Sequence, residues 1–150
     1  MIKIDRYNKI ILRELCTNAR ISNIDLADRI GLSPSACLRR VQELEKSGVI
    51  KGYRAVLDYE VLGMGFKVYI TVGLSDHTMP AQTTFEAAMS QSPEVRECHN
   101  ITGTMEYLLR VEVADIAAYK IFHAEVLGTL PQVNSITSYV VMDSPKDDRG

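Results

Sequence analysis

The chain has 150 residues, 46% of them hydrophobic, and a formal net charge of −2. This composition favours a folded protein over a disordered one and allows one domain or two small ones. The N-terminus carries Lys3, Asp5 and Arg6, and 18 consecutive apolar residues occur nowhere, so neither a secretion signal nor a membrane partner is expected.

Charge is divided unevenly along the chain. Residues 1–58 carry 11 Lys/Arg and 7 Asp/Glu, a net charge of +4, whereas the remainder carries 6 and 12, a net charge of −6. The N-terminal part therefore suits an anionic partner such as double-stranded DNA, and the C-terminal part suits another task. Because each part alone is small and buries a modest fraction of its surface, burial between subunits of a homo-oligomer is also expected.

The cysteines give little support for a covalent or metal framework. Cys16, Cys37 and Cys98 are odd in number and show no CxxC spacing, which indicates neither a disulfide framework nor a zinc ribbon and fits a reducing cytoplasm. Cys37 is interpreted as a core residue rather than a redox switch, because nothing in the sequence marks a reactive thiolate.

The first two predicted elements are helices. Apolar residues recur at helical spacing over 5–16 and predict the first helix. Ser22 and Asp25 resemble a capping box that opens a second, shorter helix, and Gly31 ends it.

A third helix is predicted over 34–47, with Ser33 as its N-cap and Pro34 at its first position. Two short helices joined by a tight turn predict a helix-turn-helix, whose second helix enters the major groove of DNA. We expect Cys37, Leu38, Val41 and Leu44 to face the core. The candidate DNA-contacting residues are then Ser33, Ser35, Ala36, Arg39, Arg40, Glu43, Lys46, Lys51 and Arg54. The alternative is that these residues form an ordinary solvated surface and that the helices contact a protein.

The segment 49–58 is rich in β-forming residues, with Gly52 as a candidate turn, and predicts a short hairpin or wing. Residues 1–58 are therefore expected to form a winged helix-turn-helix domain. Gly63 and Gly65 mark a linker at 59–65, after which the apolar pattern changes from helical to alternating.

The second domain, predicted over 66–142, alternates strands and helices. The predicted elements are a strand at 66–74, a helix at 80–91, strands at 95–101 and 105–113, a helix capped by Asp115 and a strand at 133–142. This βαββαβ order is typical of an α+β, ferredoxin-like domain with an antiparallel sheet and both helices on one face. Residues 143–150 are expected to be a flexible tail.

The residues behind these elements also carry a dense resemblance to a known family. The N-terminal matches include Asp5-Arg6, Ile10-Ile11-Leu12, Asn18-Ala19-Arg20-Ile21-Ser22, Gly31-Leu32-Ser33-Pro34-Ser35, Cys37-Leu38-Arg39-Arg40-Val41 and Gly48-Val49-Ile50. The later matches include Gly52-Tyr53, Pro93-Glu94-Val95, Glu97-Cys98-His99, Thr102-Gly103, Tyr107-Leu108-Leu109-Arg110-Val111 and Leu130-Pro131. Over nearly its whole length the chain resembles the Lrp/AsnC family of transcriptional regulators.

The resemblance implies a winged helix-turn-helix joined to an amino-acid-sensing domain, in homodimers that assemble further, often into octamers. It also implies that an amino-acid effector binds near the loop Thr102-Gly103-Thr104-Met105-Glu106-Tyr107. A glycine lets backbone approach a small zwitterion, and a carboxylate pairs with its ammonium group. The candidate effector residues are His99, Asn100, Thr102, Gly103, Thr104, Glu106, Ser135 and Thr137.

The loop departs from the family pattern at two positions. Many relatives carry an acid directly after the glycine and an Asp before the tyrosine, where this chain has Thr104 and Glu106. One negative charge is absent and the other lies on a longer side chain, so the effector specificity is expected to differ. The alternative is that this loop is only a hairpin turn.

Neither metal binding nor catalysis is expected. His77, His99 and His123 lack metal-ligand spacing, and neighbouring strand residues such as Cys98 and His99 point to opposite faces of a sheet. No phosphate-binding loop or nucleophilic triad is present, so a regulator is preferred to an enzyme. An architectural DNA-binding protein without an effector is the alternative function.

Overall fold

A computed structural model describes residues 4–147. The chain forms two compact units that divide between Ala55 and Val56. The predicted linker, 59–65, lies within the second unit, where the guanidinium of Arg96 stacks on the ring of Tyr59 at 4.8 Å. Within the described range, no helix combines the length and apolar character needed to cross a membrane.

Three helices make up the first unit: α1 (Arg6–Thr17), α2 (Asn23–Ile30) and α3 (Pro34–Lys46). The predicted caps of α2 and α3 are confirmed. The Ser22 hydroxyl accepts from the Asp25 amide at 3.1 Å, and that of Ser33 accepts from the Ala36 amide at 3.3 Å. Each contact satisfies a backbone donor that has no partner inside its own helix.

The core of this unit is formed by Ile11, Leu26, Ala27, Ile30, Cys37 and Leu44. Cys37 is fully buried, as predicted, and burial raises the pKa of its thiol. The prediction for Leu38 is wrong, because 46% of this residue is exposed. Helical periodicity identifies the apolar stripe of α3, but it does not show which residues at the edge of that stripe are buried against α1 and α2.

The predicted hairpin at 49–58 is also wrong, because no strand lies between Lys46 and Phe66. Gly48 ends α3 in the left-handed region at φ +75°, and the Ile50 amide donates back to the Leu44 carbonyl at 3.1 Å. Residues 51–58 are exposed and bury no apolar face. An isolated two-stranded ribbon is marginal in water, so β-forming composition alone does not produce a ladder.

The second unit has the predicted βαββαβ order. Its elements are β1 (Phe66–Leu74), α4 (Met79–Gln91), β2 (Val95–Asn100), β3 (Tyr107–Val113), α5 (Ile116–Glu125), a short 3-10 turn (Leu127–Thr129) and β4 (Val133–Val140). The strands form one antiparallel sheet in the order β2-β3-β1-β4. The strands after the first are one or two residues shorter at an end than predicted. The predicted Asp115 cap is confirmed, since its carboxylate accepts from the Ala118 amide at 2.8 Å.

One face of the sheet is covered by both helices. Alternate residues of β1, such as Val68, Ile70 and Val72, are fully buried with Phe85 of α4 and Phe122 of α5. The Phe85 and Tyr107 rings pack at a centroid distance of 4.6 Å. The alternating pattern read from the sequence therefore identifies the core face of the central strand.

The other face carries a buried ionic cluster on β2 and β3. Glu112 is 1% exposed, and Arg110 approaches its carboxylate at 2.9 Å, while Arg96 lies 3.5 Å away. Arg110 also contacts Glu97 at 3.3 Å. Removing one member would leave a charge buried without compensation.

Residues 143–147 have no helix or strand, yet Lys67 donates to the carboxylate of Asp147 at 2.9 Å. The rest of the predicted tail, 148–150, lies outside the described residues.

Leu44→Ala and Leu38→Ala make the same truncation on one helix, at a buried and at an exposed side chain. We expect Leu44→Ala to lower the opening free energy of α3 by about 2–5 kcal/mol and Leu38→Ala to lower it by less than about 1 kcal/mol. Amide hydrogen exchange in peptides covering 34–46 of the full chain measures both. Equal losses would contradict the core assignment.

Candidate functional site

Two hydrogen-bonded contacts fix the turn between α2 and α3. Gly31 adopts the left-handed conformation at φ +71°, and the Leu32 amide donates to the Ala27 carbonyl at 3.0 Å. The side-chain amide of Asn23 donates to the Pro34 carbonyl at 2.8 Å. The start of α3 is thereby held beside the start of α2, as expected for two helices of a helix-turn-helix.

Most of the predicted DNA-contacting side chains lie along the accessible side of α3. Arg39 is exposed over 72% of its side chain, and its guanidinium lies 4.0 Å from the Glu43 carboxylate. The Ser33 and Ser35 hydroxyls lie 3.3 Å apart at the helix N-terminus. The remaining members are Ala36, which is half-buried, and Lys46, which is exposed.

Arg40 differs from the other candidates, because its guanidinium is engaged within the protein. Its Nη1 donates to Asp5 at 2.8 Å and to Asn8 at 3.0 Å, and the group lies over the Tyr7 ring at 5.2 Å. Arg40 is therefore held within the first unit, unlike Arg39, and its contact with DNA stays a prediction.

Lys51 and Arg54 are exposed in the segment that follows α3. The expected hairpin does not carry them. Tyr53 ties this segment to α3, since its hydroxyl donates to the Glu45 carboxylate at 2.9 Å.

The predicted effector loop is closed by backbone hydrogen bonds on both sides of residues 102–105. The Ile101 amide donates to the Glu106 carbonyl at 2.8 Å, and the Glu106 amide donates to the Val72 carbonyl at 3.0 Å. Gly103 has φ +130°, in a region that residues with a Cβ rarely adopt. Thr102, Gly103 and Thr104 are exposed at the tip.

The Glu106 carboxylate lies at the end of β1 and has two partners. One oxygen accepts from the Leu74 amide at 2.7 Å, and the other lies 3.2 Å from Nδ1 of His77. The pairing of β1 with β4 shifts register between Gly73 and Leu74, so the amide at this bulge needs a side-chain acceptor. One oxygen of the Glu106 carboxylate is this acceptor, and the other oxygen faces the exposed His77.

Gly73 allows a close approach between β1 and β4 beside the loop. A Cβ at this position would lie under 3.0 Å from the Ser135 hydroxyl and 3.4 Å from the sulfur of Met105. The Ser135 hydroxyl itself donates to the Met105 sulfur at 3.6 Å. Ser135, Met105 and Glu106 are thus gathered around the Gly73-Leu74 bulge.

The other predicted effector residues are spread more widely. Thr137 pairs with Thr71, two positions along β1 from Gly73. His99 lies opposite Leu108 and within 3.2 Å of Glu97, whereas Asn100 lies opposite Tyr107. Because adjacent strand residues face opposite ways, His99 and Asn100 do not share a surface.

Sequence reasoning missed His77 and Gly73 as members of this cluster, and it named Met105 only as part of the loop. No local spacing marks Gly73 or His77, because Gly73 lies at the bulge of β1 and His77 lies in the segment that follows this strand. The hydrophobic alternation of β1 reveals its core face, but it does not show which loop lies beside the end of the strand.

A second polar cluster lies on the helix-covered face beside Asn100. Tyr107 donates to the Glu86 carboxylate at 2.6 Å, and burial together with this carboxylate raises the tyrosine pKa to about 12. Burial and the nearby Glu86 charge raise the pKa of Cys98 to about 11. Neither group is ionised near neutral pH, so the cluster supplies structural hydrogen bonds rather than a nucleophile.

Two clefts lie away from the effector loop. One of about 850 Å³ is lined by Tyr69 and residues 141–147, and another of about 310 Å³ is lined by Met64, Arg96, Glu112 and their neighbours. Neither is lined by a residue of 99–106. In the range 4–147, no three His, Cys, Asp or Glu side chains are grouped so as to hold a metal ion.

Each of the two units is matched by a protein-family model. The model described as "Winged helix-turn-helix DNA-binding" matches residues 4–51, and the model described as "Lrp/AsnC ligand binding domain" matches residues 67–150. Among curated proteins, the leucine-responsive regulatory protein of Haemophilus influenzae is 43% identical over 143 residues, covering 95% of this chain and 86% of that protein. The corresponding protein of Salmonella typhimurium is 40% identical and covers 95% and 87%.

Solved structures agree with these matches. A transcriptional regulator from Neisseria meningitidis in complex with L-methionine superposes with a TM-score of 0.93 at 32% identity, covering 97% of this chain and 94% of that one. A feast or famine regulatory protein from M. tuberculosis complexed with L-methionine gives 0.88 at 29% identity, covering 99% and 98%.

Glu106→Ala and Glu106→Gln separate the hydrogen-bonding role of this side chain from its charge. Glutamine retains an oxygen that accepts from the Leu74 amide, whereas alanine leaves that amide without its acceptor. We expect Glu106→Ala to destabilise the second unit by about 1–3 kcal/mol and Glu106→Gln to have a smaller effect. Urea unfolding of the full chain, with hydrogen exchange in peptides covering 66–76, measures both. Wild-type protection of Leu74 in Glu106→Ala would contradict the assignment.

Proposed function

Because the chain belongs to the Lrp/AsnC family of transcriptional regulators, we propose that its occupancy of specific DNA sites responds to an amino acid bound by its second unit. The observation that carries this proposal is the pairing, in one chain, of an accessible recognition helix with a glycine-containing loop beside a carboxylate. Binding, rather than catalysis, is the proposed activity, and a reducing cytoplasm is its proposed location.

DNA recognition is assigned to the accessible side of α3. Ser35, Arg39, Glu43 and Lys46 recur every three or four residues and therefore share one side of the helix. Arg39 reaches base edges or phosphate, and the serines at the helix N-terminus reach phosphate. Lys51 and Arg54 lie on the segment after α3 and contact the adjacent DNA backbone.

The effector is assigned to the loop 102–106 and the β1 bulge. The ammonium group of an amino acid pairs with the Glu106 oxygen that faces His77, and loop amides around Gly103 hold its carboxylate. Thr102, Thr104 and Ser135 lie around this position, and Thr137, His99 and Asn100 are outer candidates. L-methionine is the first probe, because two similar proteins are known as complexes with it.

Self-association is part of the proposal. Two recognition helices must be about 34 Å apart to enter successive major grooves, which a homodimer provides. The second unit exposes large apolar side chains outside its core, among them Val56, Leu57, Val61, Leu62, Tyr139 and Val140. Such residues supply surface for a homodimer and for its assembly into an octamer.

A second candidate function is that of an architectural DNA-binding protein that assembles without an effector. The contact that favours it is the one between His77 and Glu106, since a pre-existing partner competes with an incoming ammonium group. The Glu106 carboxylate then contributes less to the binding of an amino acid than a carboxylate without a partner would contribute.

Arg39→Gln is expected to weaken binding to a fluorescent duplex that carries the protein's own upstream region, because one contact with DNA is lost. Where that contact is with a phosphate, the salt slope falls by about 1. Fluorescence titration at several salt concentrations measures this slope. Arg13→Gln is the control, because its side chain is equally exposed, at 73%, but lies on α1. An unchanged slope together with unchanged affinity for Arg39→Gln would remove Arg39 from the interface.

Glu106→Gln is expected to lower affinity for L-methionine at least tenfold, because the ammonium group loses its anionic partner. Calorimetric titration of the full chain measures this change, with the exposed Glu125→Gln of α5 as the control. No heat from L-methionine or any other of the twenty amino acids, together with salt-dependent DNA binding, would establish the architectural function instead.

A further inference from the structure

Arg40 lies on the recognition helix, but its guanidinium is bound to the first turn of α1. Nη1 donates to the carboxylate of Asp5 and to the side-chain oxygen of Asn8, and the Tyr7 ring lies beneath the group. Three residues of one turn therefore surround a single cation. Only 23% of the Arg40 side chain is exposed, compared with 72% for the adjacent Arg39.

The partners of Arg40 are themselves fixed. Asp5 is the N-cap of α1 and accepts from the Asn8 amide at 2.9 Å, and Asn8 is buried. The Asn8 amide and the Arg40 guanidinium both lower the pKa of the Asp5 carboxyl, so the aspartate is ionised at neutral pH. The planar guanidinium is thus held by an anion, an amide oxygen and an aromatic ring, a geometry that lysine does not reproduce.

We propose that Arg40 is a positioning residue for DNA recognition, which fixes the rotation of α3 against α1 through Asp5 and Asn8 rather than by contacting DNA. This inference rests on the proposed DNA-binding function. Contacts with base edges require precise hydrogen-bond geometry, whereas attraction to phosphates does not. A small rotation of α3 therefore lowers the affinity for a specific sequence more than it lowers the affinity for DNA in general.

Asp5→Asn is the decisive variant, because asparagine is also a good N-cap but removes the charge that holds Arg40. Loss of a negative charge by itself favours DNA binding, so a direct contact between Arg40 and DNA predicts equal or tighter binding. The positioning role predicts the opposite, about a three- to tenfold loss of affinity for a specific duplex. Asp28→Asn removes an equal charge from an exposed position on α2 and serves as the matched control.

The probes are a fluorescent duplex selected by the wild-type full chain from a randomised library and a scrambled duplex of equal length. Stoichiometric titration gives the active fraction of each variant, so unfolding alone does not alter the reported ratio of specific to scrambled affinity. We expect Asp5→Asn, Arg40→Gln and Arg40→Lys each to lower this ratio while leaving the salt slope on scrambled DNA unchanged. Arg39→Gln lowers that slope instead.

The outcomes separate this inference from the function on which it rests. If the wild-type chain selects no duplex, the proposed function fails and the inference fails with it. If the wild type selects a duplex and Asp5→Asn matches Asp28→Asn, DNA recognition stands and the positioning role is overturned. Wild-type affinity in Arg40→Lys, together with a lower slope in Arg40→Gln, would likewise identify Arg40 as a direct phosphate contact.

Discussion

The second unit depends on the position of β1 at the centre of its sheet. This strand pairs with β3 on one side and β4 on the other, and its alternate side chains are buried under both helices. The backbone of β1 is hydrogen-bonded to β3 and β4 along most of its length, and the register shift lies near the end of the strand. The register shift at Gly73-Leu74 is accommodated there by the Glu106 carboxylate, which lies in the loop proposed to bind the effector. The scaffold and the proposed site therefore share one side chain.

The first unit shows the same sharing of roles on its recognition helix. The N-cap of α1 holds a guanidinium from α3, so capping of one helix and orientation of the other depend on a single carboxylate. The two adjacent arginines therefore have different surroundings, since Arg39 is exposed and Arg40 is held inside the protein. Counting basic residues along a helix does not distinguish these surroundings, because they depend on contacts with residues distant in the sequence.

Features encoded locally could be predicted, and features that depend on distant residues could not. The caps at Ser22, Ser33 and Asp115 were predicted correctly, because each involves an amide three residues away. The engagement of Arg40 was missed, because Asp5 lies 35 positions earlier. The hairpin at 49–58 was wrong, because β-forming composition produces strands only where a partner surface exists. The effector role of the loop residues stays a prediction, and the contact of His77 with Glu106 was missed because the two residues lie 29 positions apart in the sequence.

The central claim is that amino-acid binding and DNA binding are coupled in one molecule, and reciprocity tests it most directly. Affinity for L-methionine is measured by calorimetry with and without a saturating specific duplex, and affinity for the duplex is measured with and without saturating L-methionine. Thermodynamic linkage requires the two factors to be equal, and the account predicts one common factor between about 5 and 150. Measurable binding of both ligands with a factor of one in each direction would contradict it.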